Sequence, residues 1–103
     1  MSARARLPNR RPCESFELEV GGLRYKVTAG YFPDGSLAEI FVSNHKVGNA
    51  SDIAARDGGI LVSLCLQHGV PLQTIKRALT RNADGSASGV IAAALDPIAE
   101  QQP

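Results

Sequence analysis

The chain has 103 residues, 44% hydrophobic and 20% charged, a composition typical of one globular domain rather than a disordered protein. Its net charge of +1 combines four arginines in the first eleven residues with an acidic remainder. We therefore predict a flexible basic arm over residues 1–13, one domain over residues 14–98 and a frayed tail over residues 99–103. No apolar run approaches the roughly 20 residues of a membrane span. The basic N-terminus lacks the apolar segment of a signal peptide, so we expect a cytoplasmic protein.

The first two predicted strands, residues 15–20 and 23–31, alternate apolar and polar side chains on either side of Gly21-Gly22. A Gly-Gly pair favours a two-residue hairpin loop, because both central residues of the preferred turn need positive φ. That loop sets glutamates against basic residues on one face of the hairpin, Glu19 opposite Arg24 and Glu17 opposite Lys26.

A third strand is predicted over residues 37–43, after a turn that contains Asp34-Gly35. A loop with an even number of residues places Ile40 on the apolar face of the hairpin, whereas an odd loop would move it to the charged face. We expect the even loop. It leaves Glu39 and Phe41 on the outer face, where an aromatic side chain indicates a contact surface.

Helical periodicity follows over about residues 51–68, 71–79 and 88–96. Asn49 or Ser51 is expected to cap the first helix, Ser86 or Ser88 the third, and the third is expected to end before Pro97. Gly58-Gly59 lies within the first helix, where close approach to the sheet is the usual reason for glycine. The predicted fold is a two-layer α+β domain, an antiparallel meander covered by helices.

The residues that carry catalytic or metal chemistry do not form a recognised site in this sequence. Cys65 and His68 share a helix face at a spacing used by metal sites, but only His45 and Cys13 could complete the ligand set, without a known spacing. Cys65 lies among apolar residues, and we predict that it is a buried thiol. We therefore expect no catalytic residue, no cofactor and no metal.

Residues 64–79, LCLQHGVPLQTIKRAL, have the outline of a helix-turn-helix motif. A small nucleic-acid-binding protein is therefore one alternative function, although the acidic body of the domain would repel phosphate. Its contacts would come from the second helix and the basic arm: Lys76, Arg77 and Arg81, together with Arg4, Arg6, Arg10 and Arg11.

The segment YKVTAGYFPDGSLAEIFVS over residues 25–43, followed by a glycine-containing helix and residues 66–72, LQHGVPL, resembles the TSCPD domain family. That domain occurs at the C-terminal end of adenosylcobalamin-dependent (class II) ribonucleoside-diphosphate reductases and as short stand-alone proteins. The Thr-Ser-Cys-Pro-Asp motif should fall near residues 85–89, but Ala87 stands about where its cysteine would be. A redox or metal role of that cysteine therefore does not transfer.

The resemblance implies a stand-alone, non-catalytic accessory module that binds another protein, for which a ribonucleotide reductase is the first candidate. A homo-oligomer is a further arrangement, and participation in ribonucleoside-diphosphate reduction as part of a larger assembly is a second alternative function. The contact residues that we predict lie on the outer sheet face and in the loop after the third strand: Glu39, Phe41, His45 and Lys46.

Overall fold

A computed structural model describes residues 3–46 and 48–102, so the start of the predicted arm, Val47 of the loop after the third strand, and Pro103 lie outside the described residues. The sheet has the order β1-β2-β3 and is antiparallel. Three helices follow it, which confirms the α+β fold class. The elements in chain order are β1 (Cys13–Val20), β2 (Leu23–Tyr31), β3 (Leu37–Asn44), α1 (Ala50–Gln67), α2 (Leu72–Ala78) and α3 (Val90–Glu100).

The register of the sheet follows the two turns that the sequence predicts. Gly21 and Gly22 adopt φ angles of 59° and 78°, and the predicted opposite pairs of the hairpin are present. On the next pair of strands Val27 lies opposite Val42 and Ala29 lies opposite Ile40, so Ile40 occupies the predicted apolar face. The prediction of an even loop is wrong, because five residues lie between Tyr31 and Leu37, which pair with each other. A register shift between Gly30 and Tyr31, inside β2, compensates for the odd loop and keeps Ile40 on that face.

The core lies on the sheet face formed by alternate residues of β2 and β3, together with α3. Leu95 and Ile98 of α3 are 0% and 2% exposed. The prediction that this helix ends before Pro97 is wrong, because α3 continues to Glu100 with the proline inside it. Pro97 removes one helical hydrogen bond, but the continued helix buries Ile98, and that burial offsets the loss.

Helix α1 lies along the outer edge of β3 and binds the strand's backbone. Gly59 allows the approach, since a Cβ atom there would lie 3.0 Å from the carbonyl oxygen of Ile40, in line with the predicted reason for a glycine at this point. The Ser63 hydroxyl accepts a hydrogen bond from the Ile40 amide at 2.9 Å, and the Gln67 side-chain amide donates to the Ala38 carbonyl at 3.1 Å. Side chains of α1 thus satisfy backbone groups that an edge strand otherwise presents to solvent.

Of the two helix N-caps predicted from the sequence, the one on α1 is present and the one on α3 is not. Asn49 caps α1 by accepting a hydrogen bond from the amide of Asp52 at 2.7 Å, as predicted. The predicted serine cap of α3 is wrong, because the N-cap position is occupied by Gly89, which has no side chain to accept a hydrogen bond. The Ser88 hydroxyl instead donates to the side-chain oxygen of Asn82 at 2.8 Å.

Both ends of the domain make contacts that bear on the predicted arm and tail. At the C-terminal end, Gln102 accepts a hydrogen bond from the amide of Leu37 at 2.9 Å and donates to the carbonyl of Gly35 at 3.2 Å. Near the N-terminus, the amide of Ala5 donates to the carbonyl of Gln67 at 2.6 Å. The division into arm, domain and tail stays a prediction. Among the described residues, no helix has the length and apolar character needed to cross a bilayer.

Candidate functional site

The outer sheet face carries one large exposed aromatic side chain, Phe41. Its side chain is 52% exposed and lies opposite Thr28 in the β2–β3 register. The Thr28 hydroxyl is 3.0 Å from the hydroxyl of Ser15 on β1, and Ser43 follows two residues along β3 on the same face. We call these four residues the Phe41 surface. An exposed apolar ring on a face that also carries hydroxyl groups has the make-up of an anchor residue in a protein interface.

Glu39 shares the outer face with Phe41, but its carboxylate is already occupied. The side chain lies over Gly30, where any Cβ atom would overlap it, and the Arg11 guanidinium forms an ion pair with it. Glu39 is only 7% exposed as a result. Of the two residues predicted for contact on this face, only Phe41 is available to a partner without breaking an existing bond.

His45 and Lys46, the other two predicted contact residues, are exposed in the loop that links β3 to α1. Asp52, 1% exposed, organises this loop by accepting hydrogen bonds from the amides of Gly48 and Asn44, both at 2.9 Å. These two bonds, then the guanidinium of Arg56, lower the pKa of Asp52 from 3.8 to about 2. The carboxylate therefore stays ionised and holds the loop near neutral pH.

The basic residues of the helix-turn-helix alternative are largely engaged within the chain. Arg81 binds both carboxylate oxygens of Asp96, at 2.7 and 2.9 Å, and Lys76 lies 3.6 Å from the same carboxylate. Arg81, followed by Lys76, lowers the pKa of Asp96. Arg77 remains exposed, on an α2 helix of only seven residues. Two of the three basic residues predicted for this segment thus share one carboxylate, which lowers their combined charge and their attraction to phosphate.

The arginines of the N-terminal arm divide into two that bind the domain and two that lie in solvent. Arg4 donates from Nε to the side-chain oxygen of Gln67 at 2.6 Å, while Arg11 binds Glu39. Arg6 and Arg10 are exposed.

An apolar groove between α1, α2 and the start of α3 was missed by the sequence reasoning. Its volume is about 350 Å³, and Leu61 and Cys65 of α1 and Ile91 of α3 are among its lining residues. Leu61 is 63% exposed, and Cys65 is exposed as well, so the prediction of a buried thiol is wrong. The burial of Ala55, Gly59, Val62 and Leu66 shows the reason: α1 turns this other stripe toward the sheet.

Comparison with protein families decides what kind of domain this is. A family model for the TSCPD domain matches residues 4–100, nearly the whole chain. The chain belongs to the TSCPD domain family. No solved structure matches it.

Curated proteins that this chain matches include vitamin B12-dependent ribonucleotide reductases. A vitamin B12-dependent ribonucleotide reductase of Agrobacterium fabrum is 40% identical over 77 residues, 75% of this chain and 6% of that protein. The same enzyme of Bradyrhizobium diazoefficiens is 39% identical over 80 residues, 78% of this chain and 6% of that protein. The enzyme of Streptantibioticus cattleyicolor is 39% identical over 71 residues, which are 69% of this chain and 12% of that protein. The chain thus spans a small fraction of the length of these relatives.

The stretch expected to carry the motif that names the TSCPD domain forms a small closed loop in this member. Ala87 pairs with Arg81 in an isolated bridge, and the carboxylate of Asp84 accepts hydrogen bonds from the amide and hydroxyl of Ser86 at 2.9 and 2.6 Å. Gly85 adopts a φ of 88°, close to the 89° of Gly35 in the β2–β3 turn. Across the part of the chain that the structure describes, no group of three His, Cys, Asp or Glu side chains could hold a metal ion.

Proposed function

We propose that this chain is a non-catalytic TSCPD module that binds a vitamin B12-dependent ribonucleotide reductase through the Phe41 surface. The observation that carries the proposal is the 52% exposure of Phe41 on the sheet face opposite the core. The relatives support the choice of partner, because each combines a related segment with the remainder of a reductase in one chain. A surface that faces the reductase within such a chain can also face it in trans.

Aromatic anchors near the centre of an interface contribute more than their share of the binding energy. Truncating one costs about 2 kcal/mol or more, which corresponds to a loss of about thirtyfold or more in affinity. The hydroxyl groups of Thr28, Ser15 and Ser43 supply hydrogen-bond partners around the ring, as an interface rim requires.

The test is a calorimetric titration of the purified chain into a purified vitamin B12-dependent reductase from the same source, which measures the affinity of binding. Phe41→Thr removes the ring and keeps a residue that suits a strand, so the fold should be retained. Leu61→Glu is the matched control, because Leu61 is exposed to a similar degree but lies in the apolar groove between the helices, outside the Phe41 surface. We expect Phe41→Thr to weaken binding by at least about thirtyfold and Leu61→Glu to leave it unchanged.

The outcomes distinguish an error in the proposed function from an error in the proposed contact surface. If the wild-type chain binds no reductase, the proposed function is wrong. If Leu61→Glu abolishes binding while Phe41→Thr does not, the module binds through the apolar groove and the Phe41 surface is wrong. Circular dichroism and thermal unfolding of each variant show whether a lost interaction reflects lost structure.

Direct participation in ribonucleoside-diphosphate reduction is the second candidate, favoured by the names of the same relatives. It differs from docking alone in its effect on turnover. Adding the chain to the reductase should change the rate of product formation if the module takes part, and should leave that rate constant if it only docks.

A further inference from the structure

A pocket that the Phe41 surface does not include lies between the N-terminal arm, the end of α1 and β3. Its volume is about 410 Å³, which falls within the range of about 300–1,000 Å³ usual for small-molecule sites. We call it the arginine pocket. It is lined by Arg4, Ala5, Arg6, Leu7, Arg11, Glu39 and Gln67.

The inner wall of the arginine pocket consists of two buried polar side chains with fixed positions. Gln67 is 3% exposed: its amide nitrogen binds the carbonyl of Ala38, and its amide oxygen accepts from Arg4. Glu39 is 7% exposed and is held by Arg11. Such anchoring reduces the conformational entropy that a ligand site must lose on binding.

The charges of the lining favour an anion. Three guanidinium groups face one carboxylate, and that carboxylate is already paired with Arg11. Arg4 uses its Nε to bind Gln67, which leaves both of its terminal NH₂ groups outside that bond. Arg6 stands next to it in the lining and is exposed. Guanidinium groups bind phosphate oxygens through paired, charge-assisted hydrogen bonds.

We propose that the arginine pocket binds a phosphate-bearing small molecule, with Arg4 and Arg6 as the phosphate contacts. Arg11 has a different role: its Nε binds Glu39 and its Nη1 donates to the carbonyl of Pro8 at 2.8 Å. It fastens the arm against the sheet and thereby holds this wall of the pocket in place. Gln67 orients Arg4, so it is a positioning residue for the ligand.

The proposal is tested by calorimetric titration of the full chain with sodium pyrophosphate at low ionic strength. Arg4→Gln/Arg6→Gln removes both charges and keeps side chains of similar length. Arg24→Gln is the matched control. Arg24 lies on β2, outside the arginine pocket, and its side chain is 66% exposed. We expect saturable binding by the wild type, a loss of at least about tenfold in the double variant, and no change in the control.

Nuclear magnetic resonance places the site independently of affinity. Pyrophosphate should shift the amide resonance of Ala5 and the side-chain amide of Gln67, which lie on the pocket wall. The absence of saturable binding by the wild type overturns the proposal. So does an equal loss of affinity in Arg24→Gln, because that result means diffuse attraction to positive charge.

A third experiment distinguishes binding of a free phosphate compound from binding of the phosphates of a nucleic acid. A single-stranded oligonucleotide is titrated alone and in the presence of saturating pyrophosphate. If the pocket takes small phosphate ligands, pyrophosphate displaces whatever oligonucleotide binds. If oligonucleotide affinity rises with length and pyrophosphate does not compete, the arm binds a nucleic-acid backbone and the small-molecule site is wrong.

Discussion

Ser63 offers a direct test of how α1 is joined to the sheet. Its hydroxyl oxygen accepts from the amide of Ile40 at 2.9 Å, and lies 3.1 Å from the carbonyl of Ile40 and 2.8 Å from that of Gly59. Ile40 is 0% exposed and Ser63 only 7%, so water cannot replace the serine without a rearrangement. One hydroxyl group therefore satisfies the backbone at the middle of the β3 edge.

Replacing Ser63 with alanine leaves the buried amide of Ile40 without an acceptor, which costs about 1–3 kcal/mol. Alanine has the higher helix propensity, and this offsets up to about 0.5 kcal/mol. We expect the free energy of unfolding to fall by about 0.5–2.5 kcal/mol. Ser43→Ala, on the outer face of the same strand, is the control and should change it by less than about 0.5 kcal/mol.

Urea unfolding measures both variants, and amide hydrogen exchange locates the effect. In Ser63→Ala the Ile40 amide should exchange faster, because the edge of β3 opens more readily without its bond. If Ser63→Ala is as stable as the wild type and the exchange rate at Ile40 is unchanged, the hydroxyl does not hold the strand edge, and our account of the α1–β3 contact is wrong.

Three further predictions rest on the same structure. Gly59→Ala should lower stability by about 1 kcal/mol or more, because the β3 backbone blocks a new methyl group. Gly58→Ala should cost less, since it meets the Ile91 side chain beside the open groove; equal losses would contradict the close approach. The depressed pKa of Asp52, about 2, stabilises the fold fully above about pH 4, and this contribution disappears as the pH falls toward 2. Asp52→Asn should flatten that part of the curve of unfolding free energy against pH. A thiol reagent should titrate two cysteines in the folded chain, and one would mean that Cys65 is buried after all.

The sheet was predictable because its information is local. Period-two alternation and the Gly21-Gly22 pair set the hairpin register, and the alternation in the third strand indicated which face Ile40 occupies. The odd loop around Asp34 and the register shift that compensates for it were not predicted, because a bulge leaves the alternation of the strand unchanged. The orientation of α1 was harder to predict, because apolar residues occur on more than one of its faces. Gly59 carried a usable signal: positions at helical spacing from it, such as Ala55, Val62 and Leu66, are the buried ones.

The candidate sites depend on pairs that local patterns do not reveal. Arg11 and Glu39 are 28 residues apart, and Arg4 and Gln67 are 63 apart. No periodicity links such positions, so the sequence showed four arginines in an arm but not the pocket that three of them line. The exposure of Phe41 followed from register, whereas the burial of Glu39 required the arm to cross the sheet.

The contact between α1 and β3 also limits how this sheet can polymerise. A sheet with two open edges can accept a strand on each side, which allows growth without end. In the described part of the chain, side chains of α1 occupy the β3 edge, and β1 is the edge left for pairing. The sheet can therefore be extended at one edge only, so two copies that pair along β1 form a dimer and the assembly stops there.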